Sequence, residues 1–285
     1  MWPGGPLWGC DFTSAPSRRK PIVLAVGEWQ TARTGAVRLQ LQGFHTFDTL
    51  AGFGQHLQNT PTWLGAFDLP FGLPRELVEH VGWPTDWHAC MQHYASLSRE
   101  QIRSTFAAFC DARPVGGKFA HRATDGPAGS SPSMKWVNPP VAYMMHAGVP
   151  LLLQAGAYVP GIMPSSKEPA PRIALEAYPG LLARLVLGHR SYKSDDKAKQ
   201  TPERWVARKD LLHALETGQL PALSGLRCVA RAALQETMLQ DASGDHVDAW
   251  LCLVQAAWAL MKHQQGHPCF GLPPCDPLEG WIVMA

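Results

Sequence analysis

The chain has 285 residues, 46% of them hydrophobic and 17% charged, with a formal net charge of +2. That length and apolar share suit a folded protein with a sizeable core and exclude a disordered one. So small a net charge also excludes a global attraction to nucleic acid, and any such attraction must be local. The seven cysteines include no CxxC pair, and several lie inside apolar runs. Reduced thiols in a cytoplasmic protein are therefore expected, not a disulfide framework. The opening Met1-Trp-Pro-Gly-Gly-Pro6 has neither a basic region nor a long apolar one, so no secretory leader is expected.

Three strands are predicted first. Residues 7–13 are short and apolar and run into Ser14-Ala-Pro16. Residues 21–29 are rich in β-formers. Residues 37–47 alternate, with Val37, Leu39 and Leu41 on one face and Arg38, Gln40 and Gln42 on the other. Turn-forming residues at 31–35 link the second and third runs, so an antiparallel meander is expected. Leu50, Phe53 and Leu57 give residues 48–58 a helical pattern. Residues 63–69 form a continuous apolar run closed by Asp-Leu-Pro, as a buried strand would.

Residues 71–171 break this rhythm and read as a largely helical insertion within one domain spanning 1–285. Ser98-Arg-Glu-Gln101 is a capping box for a helix through Ile102, Phe106 and Phe109. Residues 113–140 are rich in Gly, Pro and Ser and predict a long loop. Residues 141–163 are nearly free of charge. However, Gly148, Pro150, Gly156, Pro160 and Gly161 interrupt them, so a buried helix, turn and strand is expected instead of a membrane span. Residues 172–178 predict a further strand. Pro179 opens a helix at its first position, and Thr201-Pro202-Glu203 opens another through Leu215. A helix is expected from Ser224 through Leu239. The last helix runs from Asp245 to His263, with its apolar stripe at Val247, Leu251, Val254, Trp258 and Met261.

The acids carry the chemistry. Asp11 and Asp68 each close an apolar strand, and Glu176 lies near the end of a third. Sites in such sheets form beyond the carboxyl ends of strands. Each Asp also has a local explanation, since an Asp before a turn bonds its own backbone. Asp245 and Asp248 lie three apart on one helix face. An N-cap role explains Asp245 well. Asp248 adjoins the core stripe at Val247 and Leu251, so its charge needs a partner or a cation. Ala249, Ala256, Ala257 and Ala259 would let this helix approach a sheet closely. Carboxylates converging in one cleft call for a divalent cation, and oxygen-only ligands favour Mg²⁺ or Mn²⁺. Two such ions can promote phosphodiester cleavage.

The element order and these acids resemble the RNase H-like superfamily: three antiparallel strands, a helix, a parallel strand and a late helix bearing acids. Gly244-Asp-His-Val-Asp-Ala249 looks like the acidic helix start of RuvC-type resolvases. The chain is more closely similar to the domain of unknown function 429 family, predicted RNase H-fold nucleases. The matching segments are Gly9-Cys-Asp-Phe-Thr-Ser-Ala-Pro16, Phe67-Asp-Leu-Pro-Phe-Gly-Leu-Pro74, Leu175-Glu-Ala-Tyr-Pro179, Ser191-Tyr-Lys193 and Asp245-His-Val-Asp-Ala249. The resemblance implies a mixed α/β sheet, a meander plus parallel strands, flanked by helices. It implies Asp11, Asp68 and Asp248 as metal-binding acids, with Asp245 and Glu176 close behind.

Ser14, Arg122, Asp125, Tyr192 and Lys193 are the candidate contacts to a nucleic acid or other phosphate-containing substrate. Residues 189–209 hold seven basic side chains interleaved with Tyr192 and Trp205, which suits a phosphate backbone. Asp195, Asp196 and Glu203 dilute that charge, so a solvated face explains it equally well. Arg122 and Asp125 either order their loop over the site or simply pair. His263, His267, Cys269 and Cys275 do not have the spacing of a standard zinc finger. Two other functions compete with the nuclease. One is an actin or sugar-kinase type phosphotransferase, for which Asp11-Phe-Thr-Ser14 would be a phosphate loop lacking the usual glycine at Phe12. The other is a non-catalytic binding protein, whose acids would lie too far apart to share a metal.

Overall fold

The computed structural model describes residues 4–31, 37–164 and 170–285. The chain begins β1 (Leu7–Asp11), β2 (Ile22–Thr31), β3 (Val37–Phe47), α1 (Leu50–Asn59), β4 (Trp63–Asp68). Past Thr31, the turn expected over residues 31–35 lies outside the described residues. The middle of the chain holds α2 (Arg75–His80), α3 (Trp87–Ser96), α4 (Arg99–Asp111), α5 (Asp125–Ala128) and α6 (Val141–Gln154). Then come β5 (Arg172–Glu176), α7 (Pro179–Leu187), α8 (Pro202–Thr217), β6 (Arg227–Val229), α9 (Ala232–Gln240) and α10 (Asp245–Gln264).

The six strands form one mixed sheet in the order β5-β4-β1-β2-β3-β6. β1, β2 and β3 make the antiparallel meander, β4 and β5 run parallel to β1, and β6 runs parallel to β3. The chain is thus α/β, with helices on both faces of the sheet. Strand alternation sorts the side chains between two cores. Leu7, Val23, Leu39, Leu64, Ala66, Ile173 and Leu175 face the core shared with α7, α8 and α10. Trp8, Cys10, Ile22, Leu24, Trp63, Phe67 and Ala174 face the core shared with α1, α3, α4 and α6. The helices of the 71–171 segment therefore cover one face of the sheet and leave the other to the chain's second half.

Local signals explain most boundaries. The Ser98–Gln101 capping box forms in full and starts α4. Pro179 and Pro202 sit at the first positions of α7 and α8. The 113–140 stretch stays mostly irregular, with only the short α5 inside it. α6 carries Pro150 within it, and among the described residues no helix is long and apolar enough to cross a membrane. The helix expected from Ser224 is a correction. Ser224 (φ 52°) and Gly225 (φ 84°) form a left-handed turn instead. Arg227–Val229 then pairs with the open edge of β3, and the helix starts only at Ala232. A free sheet edge decided this segment, where local propensity pointed the other way.

α10 is buried on nearly every side from Asp245 to Met261, as a central helix should be. It crosses β1, β2 and β4. At Gly9 the backbones of helix and strand meet without a side chain between them. A Cβ on Gly9 would fall on the Leu253 amide and the Ala249 carbonyl. Gly9→Ala must push α10 off the sheet and is expected to cost about 1–3 kcal/mol. Denaturant unfolding will measure it. Gly43→Ala, in open space, is the control and should stay within ~0.5 kcal/mol of the parent.

Candidate functional site

Asp11 and Asp68 are register partners at the last positions of the parallel strands β1 and β4. Both alternate with residues that face α10: Leu7 and Gly9 on one strand, Leu64 and Ala66 on the other. Two carboxylates thus stand side by side on the α10 face of the sheet. Among the described residues, neither receives a hydrogen bond from a side chain or a backbone amide. Burial first, then the negative charges of Asp248 and Asp245, push the Asp11 carboxyl well above the usual range, while Lys193 opposes. Burial and the Asp248 charge push Asp68 up to about 7.

The third acid comes from the first turn of α10. That helix is capped in an unexpected way. Gly244 (φ 82°) takes the N-cap position, and Asp245 is the first helical residue. Asp241 does the capping from outside the helix. Its carboxylate accepts from the Ser243, Gly244 and His246 amides at 3.1, 3.2 and 2.9 Å, and from His246 Nδ1 at 2.8 Å. Although burial opposes it, bonding to His246 and Ser243 holds the Asp241 carboxyl well below its usual range. Asp245 is thereby released from its expected N-cap role. It accepts instead from Lys20 Nζ at 2.6 Å, an ammonium that also reaches Asp195 at 2.9 Å.

Asp248 is fully buried and has both oxygens engaged: Oδ1 by the Tyr192 hydroxyl, Oδ2 by the Lys193 ammonium. Burial raises its pKa, while the Lys193 charge and hydrogen bond pull it down. Burial lowers the Lys193 pKa, but Asp248, Tyr192 and Asp11 outweigh it and raise the ammonium well above its usual value. The strap carrying Tyr192 and Lys193 is fastened from below. Arg208 donates to the Tyr192 carbonyl at 2.7 Å, Arg204 donates to the Lys193 carbonyl, and the Ser194 amide donates to Ala242 at 3.0 Å. Arg190 pairs with Asp210 at 2.7 Å. Lys193, Arg204 and Arg208 are thus turned to internal partners, while Arg190, Lys197, Lys199 and Lys209 stay exposed.

Glu176 stands apart from this group. On β5, Ile173 and Leu175 face the α10 side, so Glu176 points with Ala174 to the other side of the sheet. There the Arg122 guanidinium binds both its oxygens, at 2.6 and 2.8 Å, and the Phe71 amide adds a bond at 2.9 Å. Arg122 also grips Asp125 Oδ1 at 3.0 and 3.1 Å and donates to the Glu279 carbonyl at 3.0 Å. Arg122 and Asp125 thus pair with each other and with Glu176. This buried knot ties the 113–140 loop to β5 and the Glu279–Val283 segment. It saturates Glu176, which the sequence had placed among the catalytic acids.

Three cavities of about 310, 360 and 350 Å³ adjoin here, and all share Lys193. The first lies between Asp68, the Arg122–Glu176 pair, Tyr178 and the insertion residues Val141 and Met144. The second lies between Asp68, His189, Arg190 and Tyr192. The third holds Asp11, Ser14, Lys20, Asp245 and Asp248. Ser14 forms part of that wall, and its carbonyl accepts from Arg99 at 2.8 Å. Lys20 and Asp241 escaped the sequence reading, because neither belongs to an apolar pattern or a recognisable motif.

Among the described residues, no three His, Cys, Asp or Glu side chains stand close enough to grip one metal ion. Asp245 and Asp248 face lysines, and His263 stacks on Phe270 with ring centroids 4.4 Å apart. The donor set still fits a hard divalent cation. It is oxygen-only, and two of its carboxylates lack any donor in a site whose burial disfavours charge. The chain matches no protein-family model, no curated protein and no solved structure.

Two outcomes follow from these charges. A carboxyl whose folded pKa is raised stabilises the fold at low pH and loses that contribution as pH rises toward 7. In EDTA, Asp68→Asn should therefore be more stable than the parent, by a margin that grows from pH 4 to about 7 and then levels off. Melting temperatures across that range will show it. Arg122→Met leaves Glu176 and Asp125 buried without their cation and is expected to cost about 3–5 kcal/mol in denaturant unfolding. The double variant Arg122→Met/Glu176→Met should lose less.

Proposed function

We propose that the chain is a metal-dependent nuclease on an RNase H-like sheet, related to the domain of unknown function 429 family, and uses Mg²⁺ or Mn²⁺. One observation carries this reading. Asp11 and Asp68 end neighbouring parallel strands in register, and Asp248 faces them from the first turn of a helix packed on those strands. The meander followed by a helix and a parallel strand supports the same family pattern.

Asp11 and Asp68 would hold the ion, with Asp248 and Asp245 beside them. When bound, the ion neutralises charge on the phosphate and lowers the pKa of a water. The chain's own residues do the rest. Lys193, where the three cavities meet, offers an ammonium to a phosphate oxygen. Tyr192 and the two arginines beneath it fix the direction of that ammonium and of Asp248. The walls from Val141, Met144 and Tyr178 supply apolar surface against which a nucleoside can lie.

The phosphotransferase reading has less support. Phe12, which would have to serve in a phosphate loop, is buried and packs on Phe53, ring centroids 5.9 Å apart. A non-catalytic reading expects separated acids, whereas Asp11 and Asp68 are neighbours. With Mn²⁺ and single- and double-stranded DNA and RNA as substrates, cleavage should be lost in Asp11→Asn while the circular dichroism spectrum is unchanged. Cleavage equal to the parent would sink the assignment, and tight ATP binding without cleavage would favour the phosphotransferase.

A further inference from the structure

We infer that this site takes one divalent ion, not two, and that the Lys193 ammonium is its resident second cation. The inference rests on the metal-dependent reading above. It begins with a count of charge. Asp11, Asp68, Asp245 and Asp248 bring four carboxylates to the trough. Two ammonium groups already stand against them, Lys20 on Asp245 and Lys193 on Asp248. Asp195, the other partner of Lys20, is exposed and needs no buried counter-charge. Glu176 and Asp125 lie on the other side of the sheet and share the single charge of Arg122. Of the four trough carboxyls, Asp11 and Asp68 are left without a counter-charge, side by side. One divalent ion between them balances the site, and a second would leave it carrying excess positive charge.

Geometry makes the same point. A second ion bound through Asp248 would need one of its oxygens. Both are engaged, one by Tyr192 and the other by Lys193. The Tyr192 side chain is buried, and that of Lys193 is partly exposed. The carbonyls of both residues are held by buried or partly buried arginines. The aliphatic stem of Lys193 lies against Gly244, where an added Cβ would come 2.6 Å from the Lys193 Cβ. These contacts hold the Lys193 backbone and stem beside Asp248, and its ammonium supplies positive charge beside the single ion at the meeting point of the three cavities.

Counting bound Mn²⁺ tests this, with free Mn²⁺ read by electron paramagnetic resonance and no turnover required. The parent should bind one Mn²⁺ per chain with a simple saturation curve, and Asp11→Asn should lose it. Lys193→Met frees an Asp248 oxygen and should bind two. Lys193→Arg keeps the charge and should stay at one. Two comparable sites in the parent, or one site in folded Lys193→Met, would overturn the inference. If Lys193→Met fails to fold, the parent and Lys193→Arg decide: one ion in each supports it, and two in either overturns it. No ion in the parent removes both this inference and the metal-dependent reading. One ion without cleavage of any nucleic acid leaves the inference standing and removes the nuclease.

Discussion

The close crossing of α10 over β1 at Gly9 sets the geometry of everything around it. With no side chain between the two backbones, the helix lies directly on the central strand. Its axis is fixed by that contact, and its first turn is carried to the carboxyl ends of β1 and β4. Asp248 therefore arrives opposite Asp11 and Asp68 as a consequence of packing. A bulkier residue at position 9 would lift the helix, and the acids would separate before any of them was altered.

Such convergence has an electrostatic cost, and the surrounding basic residues answer it at two depths. Lys20 and Lys193 are each partly exposed, and Arg122 is wholly buried. The arginines 204 and 208 compensate nothing directly. They hold backbone carbonyls and so aim Tyr192 and Lys193. A segment that resembles a nucleic-acid surface by composition thus supplies internal scaffolding through Arg204 and Arg208, while Arg190, Lys197, Lys199 and Lys209 face outward. Buried charge demands such partners, since an unpaired ion in the interior costs several kcal/mol.

The parts of the fold legible in the sequence were those governed by periodicity and local chemistry. β3 shows its alternation, α4 its capping box, α7 its proline. The strand-end positions of Asp11 and Asp68 follow from the same patterns. The orientation of Glu176 follows from strand parity: Ile173 and Leu175 face α10, so residue 176 points to the other face. β6 was not legible, because its pairing depends on an edge offered by β3 nearly 190 residues earlier in the chain. Nor was Lys20, which meets Asp245 across 225 residues. Asp245 has the sequence position of a cap, but Asp241 takes that role across the preceding turn. Contacts set by tertiary approach leave no local trace.

The Arg122 knot has a temporal consequence. Its members include the Glu279 carbonyl and, through Glu176, the Val283 amide, while Thr124 accepts from the Ile282 amide. Those residues leave the ribosome after every element of the sheet. Until they emerge, the loop that walls the first cavity has lost part of its anchorage and Arg122 lacks one of its acceptors. The strands and their paired aspartates are thus synthesised before the segment that completes the enclosure around them.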